Sequence, residues 1–115
     1  MTITPINAQV SLNVTASRVT IATGVTGGTT QITSMIITNT NASTARTVTI
    51  LVKGTASAVA NEIYTVTLPK RGDVGSTAIL DLSKCPIVLQ ATETARGWQD
   101  VGTDVNVFAS GFNQV

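Results

Sequence analysis

Thr, Val and Ile supply 45 of the 115 residues, and this bias constrains the fold more than any other property of the chain. Side chains branched at Cβ are stiff at χ1, crowd a helix and fit a pleated surface. Local segments alternate accordingly. Val19, Ile21 and Thr23 fall on one side of an extended segment, with Arg18, Thr20 and Ala22 on the other. Val48, Ile50 and Val52 alternate with Thr47, Thr49 and Leu51, and Tyr64, Val66 and Leu68 alternate with Ile63, Thr65 and Thr67. A period of two marks a strand with one buried face. The segment around Ile50 carries apolar weight on both faces, as expected of a strand covered on both sides.

The spacing predicts strands at residues 10–14, 18–25, 31–39, 46–53, 62–68, 77–82, 86–91 and 104–112. Turn-forming clusters separate them: Gly27-Gly28, the Asn, Ser and Thr run at 39–44, and Pro69, Gly72, Asp73 and Gly75. A chain of this length is one domain. The expectation is an all-β protein, a single antiparallel β-sandwich of about eight strands, jelly-roll or immunoglobulin-like. The sandwich is expected over residues 10–115, after an N-terminal arm at residues 1–9. Residues 55–62 are Ala-rich but too few for a stable helix and read as a loop. Residues 92–103, with Glu93, Arg96, Trp98 and Asp100, read as a long connection before the last strand.

Several functions are disfavoured. The chain has no His, which removes imidazole-dependent nucleophile activation, proton shuttling and the commonest zinc ligand sets. Charged residues are 11% and the net charge is +1, so neither direct nucleic-acid binding nor a polybasic membrane surface is expected. The N-terminus has no cationic segment followed by an apolar one, so it does not read as a secretory signal, and the longest apolar runs are strand-sized. A soluble protein made in the cytoplasm follows. The single Cys85 cannot close an intramolecular disulfide and reads as a small buried hydrophobe. Asn13 and Asn41 open glycosylation-type triplets that arise readily in a chain with 21 Thr. Asp100 and Asp104 could donate oxygens to Ca²⁺, but their spacing does not match an EF-hand loop and they read as solvated carboxylates. The glycines at 24–28 lack the Lys-Ser/Thr ending of a phosphate loop. Lys70, Arg71 and the scattered cations have no interleaved aromatics and read as solvated. No catalytic residue, metal site or cofactor is expected.

What remains is contact surface. Trp98 reads either as a lid over the sandwich end or as an anchor at a subunit interface, where tryptophan is over-represented. Phe108 and Phe112 share one face of the last strand with Asn106 and Ser110, while Val105, Val107 and Ala109 share the other. Assigning the Val face to the core leaves the Phe face as a contact surface. Ile3 and Ile6 of the arm complete the candidate interface residues. So few charges protect poorly against edge pairing, as expected if much of the surface is buried in an assembly.

Five stretches have a shared cadence: residues 32–52, running through Asn39-Thr40-Asn41 into Thr47-Val48-Thr49-Ile50; residues 63–69; residues 78–82; residues 87–89; and residues 105–111. Together they resemble small β-sandwich virion structural proteins of tailed bacteriophages over roughly residues 19–112. In these a strand ends in an Asn-Thr loop, a Thr/Val strand returns, and a terminal strand follows a polar connection. The resemblance implies a structural protein without chemistry of its own. It implies a capsid decoration or cement protein that binds the major capsid protein in many copies, and copies of itself as a homotrimer, within the virion. Neck, tail or fibre components share the cadence. A carbohydrate- or host-receptor-binding module is a different use of such a sandwich, for which one Trp and one Tyr make a poor stacking platform.

Overall fold

In the computed structural model, which describes residues 1–14, 18–52 and 62–115, the β-branched segments become nine strands. These are β1 (Ile3–Ser11), β2 (Val19–Thr23), β3 (Thr29–Asn39), β4 (Arg46–Val52), β5 (Glu62–Leu68), β6 (Thr77–Asp81), β7 (Ile87–Gln90), β8 (Thr94–Gln99) and β9 (Val105–Gln114). They form two antiparallel sheets. One has the order β1-β9-β3-β6, with β7 on the same edge of β3 as β6, and the other has the order β2-β8-β4-β5. The partners are nested along the chain: β1 with β9, β2 with β8, β3 with β6 and β7, and β4 with β5. The pairs β3·β9 and β4·β8 then join these ribbons into sheets.

The two sheets pack face to face as a β-sandwich. The core takes the inward residues of both sheets: Ile32, Met35, Ile37, Leu89, Val105, Val107 and Ala109 from one, and Ile21, Val48, Ile50, Leu68 and Ala95 from the other. Every alternation identified around β2, β4 and β5 points its apolar set inward, and the Val face of β9 is the buried one. Leu51 is also buried, outside that cluster, on the opposite face of β4. In β3 the pairing with β9 shifts between Ile32 and Ser34. Such a bulge inserts one residue and resets the phase, so that Ile32 and Met35, three apart, both face the core.

Three expectations are corrected. Residues 1–9 are not a free arm: β1 begins at Ile3 and pairs with β9 along its whole length, from Ile3 with Gln114 to Ser11 with Asn106. The strand expected at residues 10–14 is therefore the end of a strand that starts earlier. Ile6, Ala8 and Val10 face inward but stay half-buried, as side chains on an edge strand do. Residues 92–103 are not one long connection, because β8 lies within them, and Trp98 stands on that strand rather than in a loop. The inward residues of β8 are Ala95, Gly97 and Gln99, a set that carries no hydrophobic periodicity to detect. Cys85 is exposed, not buried, in the turn between β6 and β7, where its N–H donates to the Leu82 carbonyl at 3.2 Å. Of the loop expected at residues 55–62, residues 55–61 lie outside the described residues, and Glu62 opens β5.

The turn from β7 to β8 holds the one non-glycine residue with positive φ among the described residues, Thr92 at 71°. A β-branched side chain is strained there. Thr92 is exposed, so Thr92→Gly is expected to raise stability by about 1 kcal/mol, read as a higher urea midpoint at unchanged m-value.

Candidate interaction surface

The outer face of the β1-β9-β3-β6 sheet is built by register. Phe108 on β9 stands opposite Gln9 on β1 and Ile36 on β3, and Ile36 in turn stands opposite Ile79 on β6. This row crosses four strands, about 14 Å at the usual strand spacing. Its apolar members are open to solvent: Phe108 is 46% exposed, Ile36 40% and Ile79 72%. A second row runs Pro5, Phe112, Gln31, Val88, with Phe112 and Val88 half-buried. Between them lies the polar row Asn7, Ser110, Ser34, Asp81, in which the Ser110 hydroxyl donates to Asn7 Oδ1 at 3.3 Å. Asp81 is the only charged residue in the five strands of this sheet. Its carboxylate accepts the Ser83 N–H at 3.0 Å, which holds it below the usual aspartate range.

The other sheet presents a different chemistry. Thr47 and Thr67 hydroxyls meet at 3.0 Å and those of Thr49 and Thr65 at 3.3 Å, a ladder of threonine pairs across β4 and β5. Trp98 lies beside this ladder, opposite Thr49, with the Arg18 guanidinium 4.3 Å above its ring centre. The cation–π contact engages the indole within the chain. The structure thus gathers Phe108, Phe112 and Ile3 on one face, places Trp98 on the opposite face, and turns Ile6 inward on β1. Ile36 and Ile79 were missed as surface residues. The available signal was three consecutive apolar residues, Met35-Ile36-Ile37 and Ala78-Ile79-Leu80, since alternation forces the middle one outward.

One end of the sandwich is closed by a polar cluster that could be mistaken for a chemical site. Arg46 grips Asp104 with two bonds, Nε to Oδ1 at 2.9 Å and Nη2 to Oδ2 at 3.1 Å. Asn41 Nδ2 donates to Asp104 Oδ2 at 2.7 Å and Gln99 Nε2 to Oδ1 at 3.3 Å. Gln99 is fully buried, and its Oε1 accepts the Val105 N–H at 2.8 Å. Asn39, also fully buried, donates to the carbonyls of Thr44, Leu68 and Pro69. Asp100 accepts the Thr47 N–H at 3.1 Å. Asp100 and Asp104, weighed as cation ligands, are thus engaged within the chain: Asp104 ties the loop before β9 to the loop after β3 and to Arg46, and Asp100 ties the end of β8 to β4. Among the described residues no three His, Cys, Asp or Glu side chains come together as a metal site would require.

An open groove of about 500 Å³ runs between the β5 edge of one sheet and the β6 and β7 edge of the other, lined by Tyr64, Leu80, Leu82, Pro86 and Ile87 with Cys85 beside them. Compared with known proteins, the chain matches no family model and no curated sequence.

Proposed function

We propose that this chain is a non-enzymatic structural protein of a virion, a capsid decoration or cement protein that seats the outer face of its β1-β9-β3-β6 sheet on the shell. The observation that carries the reading is the row Phe108, Ile36, Ile79 on a face with a single charged residue. Such a face can be buried against another protein without stranding ions, each of which would cost several kcal/mol. Isolated exposed apolar residues are ordinary, but a contiguous row on a rigid sheet is the usual form of a contact surface. The nested strand order supports the reading further. A single antiparallel ribbon wound into a sandwich, as in the jelly rolls frequent in viral capsid proteins, would give such an order. Attachment is then driven mainly by removing apolar surface from water and repeats at every copy. The partners are the major capsid protein and further copies of this chain.

The test uses Phe108→Lys and Ile79→Lys together with phage heads that lack the chain. Both positions are exposed, so the folded protein should lose no more than about 0.5 kcal/mol. Binding to heads should fall by about two orders of magnitude or more, because each lysine would be buried unpaired. Lysine variants that decorate heads as the wild type does would overturn the assignment of this face. Cryo-electron microscopy that finds the chain only in the neck, tail or fibre would overturn the capsid placement.

A further inference from the structure

The free edge of the first sheet is unlike the other edges of the sandwich. Thr2 and Val115 exchange both backbone bonds, at 2.7 and 2.9 Å, and the Leu12 N–H donates to the Val105 carbonyl at 2.9 Å. Bonded pairs alternate along an antiparallel ladder. The even-numbered residues of β1 therefore bond to β9, while Ile3, Pro5, Asn7, Gln9 and Ser11 turn their backbone groups toward the open edge. Among the described residues β1 pairs only with β9.

Natural sheets guard such edges with short strands, bulges, charges or proline. Here β6 has five residues and ends on Asp81, β7 has four, β2 has five with a register shift, and β5 carries Glu62 next to an unpaired extra residue of its own, Ile63. By contrast β1 runs nine residues in unbroken register with no charge. Its one guard is Pro5, which sits at an outward position, where the missing N–H costs the internal ladder nothing. That leaves Asn7, Gln9 and Ser11 as an unguarded template.

We infer that β1 pairs antiparallel with β1 of a second copy across a two-fold axis at Gln9. The register follows from Pro5. Centring on Gln9 sets Asn7 opposite Ser11 and Gln9 opposite Gln9 of the second copy, and carries Pro5 beyond the end of the shared ladder. Shifting the axis toward the N-terminus places Pro5 against Ser11 or Gln9 and removes a donor from the ladder. In the Gln9-centred register three residue pairs exchange two backbone bonds each. On the inner face Ala8 meets Val10 of the second copy, so apolar side chains that are half-buried in one chain cover each other. With no charge on the strand, the axis brings no like charges together. On the outer face the row Ile79, Ile36, Phe108, Gln9 becomes continuous with its counterpart, so the apolar surface doubles in length. The pairing is two-fold, unlike a trimer, and it holds whether or not the chain sits on a virion.

A strand pair is a small interface, and small interfaces are weak, so the test is sedimentation equilibrium of the whole chain from about 1 µM to about 1 mM. The wild type should pass from monomer to dimer. Gln9 is exposed and its side chain lies outside the core, so Gln9→Lys and Gln9→Glu should fold, verified by unchanged circular dichroism and urea midpoints. Each alone should dimerise at least about tenfold more weakly, since like charges meet at the axis. An equimolar mixture of the two should recover the dimer, and the Asn7, Gln9 and Ser11 amides should exchange more slowly as wild-type concentration rises. A wild type that stays monomeric, a charged variant that dimerises normally, or a mixture that fails to recover would each overturn the inference.

Discussion

Gly111→Ala is expected to cost about 3 kcal/mol or more and to leave the protein only marginally folded. Gly111 lies on β9 between Ile6 of β1 and Ile32 of β3, beside the bulge that resets the phase of β3. A Cβ built there would stand 1.8 Å from the Gln31 carbonyl oxygen, 2.8 Å from its carbon and 2.9 Å from the Ile32 Cα. All three are backbone atoms of a strand held on both sides, by β9 and by β7. No side-chain rotation relieves the contact, and retreat of β3 would break a ladder. Ser110→Ala, one residue earlier, is the control. Its side chain lies on the outer face with a single 3.3 Å bond to Asn7, so its effect should stay within about 0.5 kcal/mol. Urea unfolding of the two variants separates them. A Gly111→Ala midpoint near that of Ser110→Ala would mean that β9 and β3 do not approach this closely.

A second glycine, Gly97, shows why strand interiors were legible in some places and opaque in others. Where burial is achieved by large side chains, period two reads directly, as in Val105, Val107 and Ala109 against the outward Phe108. On β8 the core is filled from the neighbours. The Cβ that Gly97 lacks would lie 3.0 Å from the Ile50 side chain, 3.2 Å from Leu12 and 3.3 Å from Ile21. A strand whose inward residues are Ala, Gly and Gln is therefore dense with contacts and silent in hydrophobicity. On β1 the signal misled in a second way. Pro5 argues against a central strand, yet it sits on an edge at a position with no internal bond to lose. The proposed contact surface was half visible. Phe108 follows from alternation within β9, but its neighbours Ile36 and Ile79 join it through pairings between strands far apart in the chain, which local periodicity does not encode. Arg46 and Asp104 are likewise separated by 58 positions.

That ion pair carries the second large effect. Asp104→Asn is expected to cost about 2 kcal/mol at neutral pH, because the carboxylate accepts charged and neutral donors from three elements and its loss leaves the Arg46 guanidinium only the less direct charge of Asp100. The bond from Arg46 is the main reason the Asp104 carboxyl is held below the usual aspartate range; partial burial opposes it, and the Asn41 amide reinforces it. Arg46 is pushed above its ordinary value by the same bond. A depressed carboxyl stabilises the fold fully above the unfolded aspartate value of about 3.9 and loses that contribution as the pH falls through the depressed value. The wild type should therefore lose stability in acid more steeply than Asp104→Asn. The gap between them should be largest at neutral pH and close as the pH falls through the depressed Asp104 value, below which a protonated Asp104 resembles the amide. Any acid slope left in the variant has a natural source in Asp81, held low by its bond from Ser83. Urea midpoints for both proteins across that pH range provide the measurement. A gap that stays constant with pH would show that the charge on Asp104 contributes nothing and that the loop closure rests on the neutral bonds of Asn39, Asn41 and Gln99.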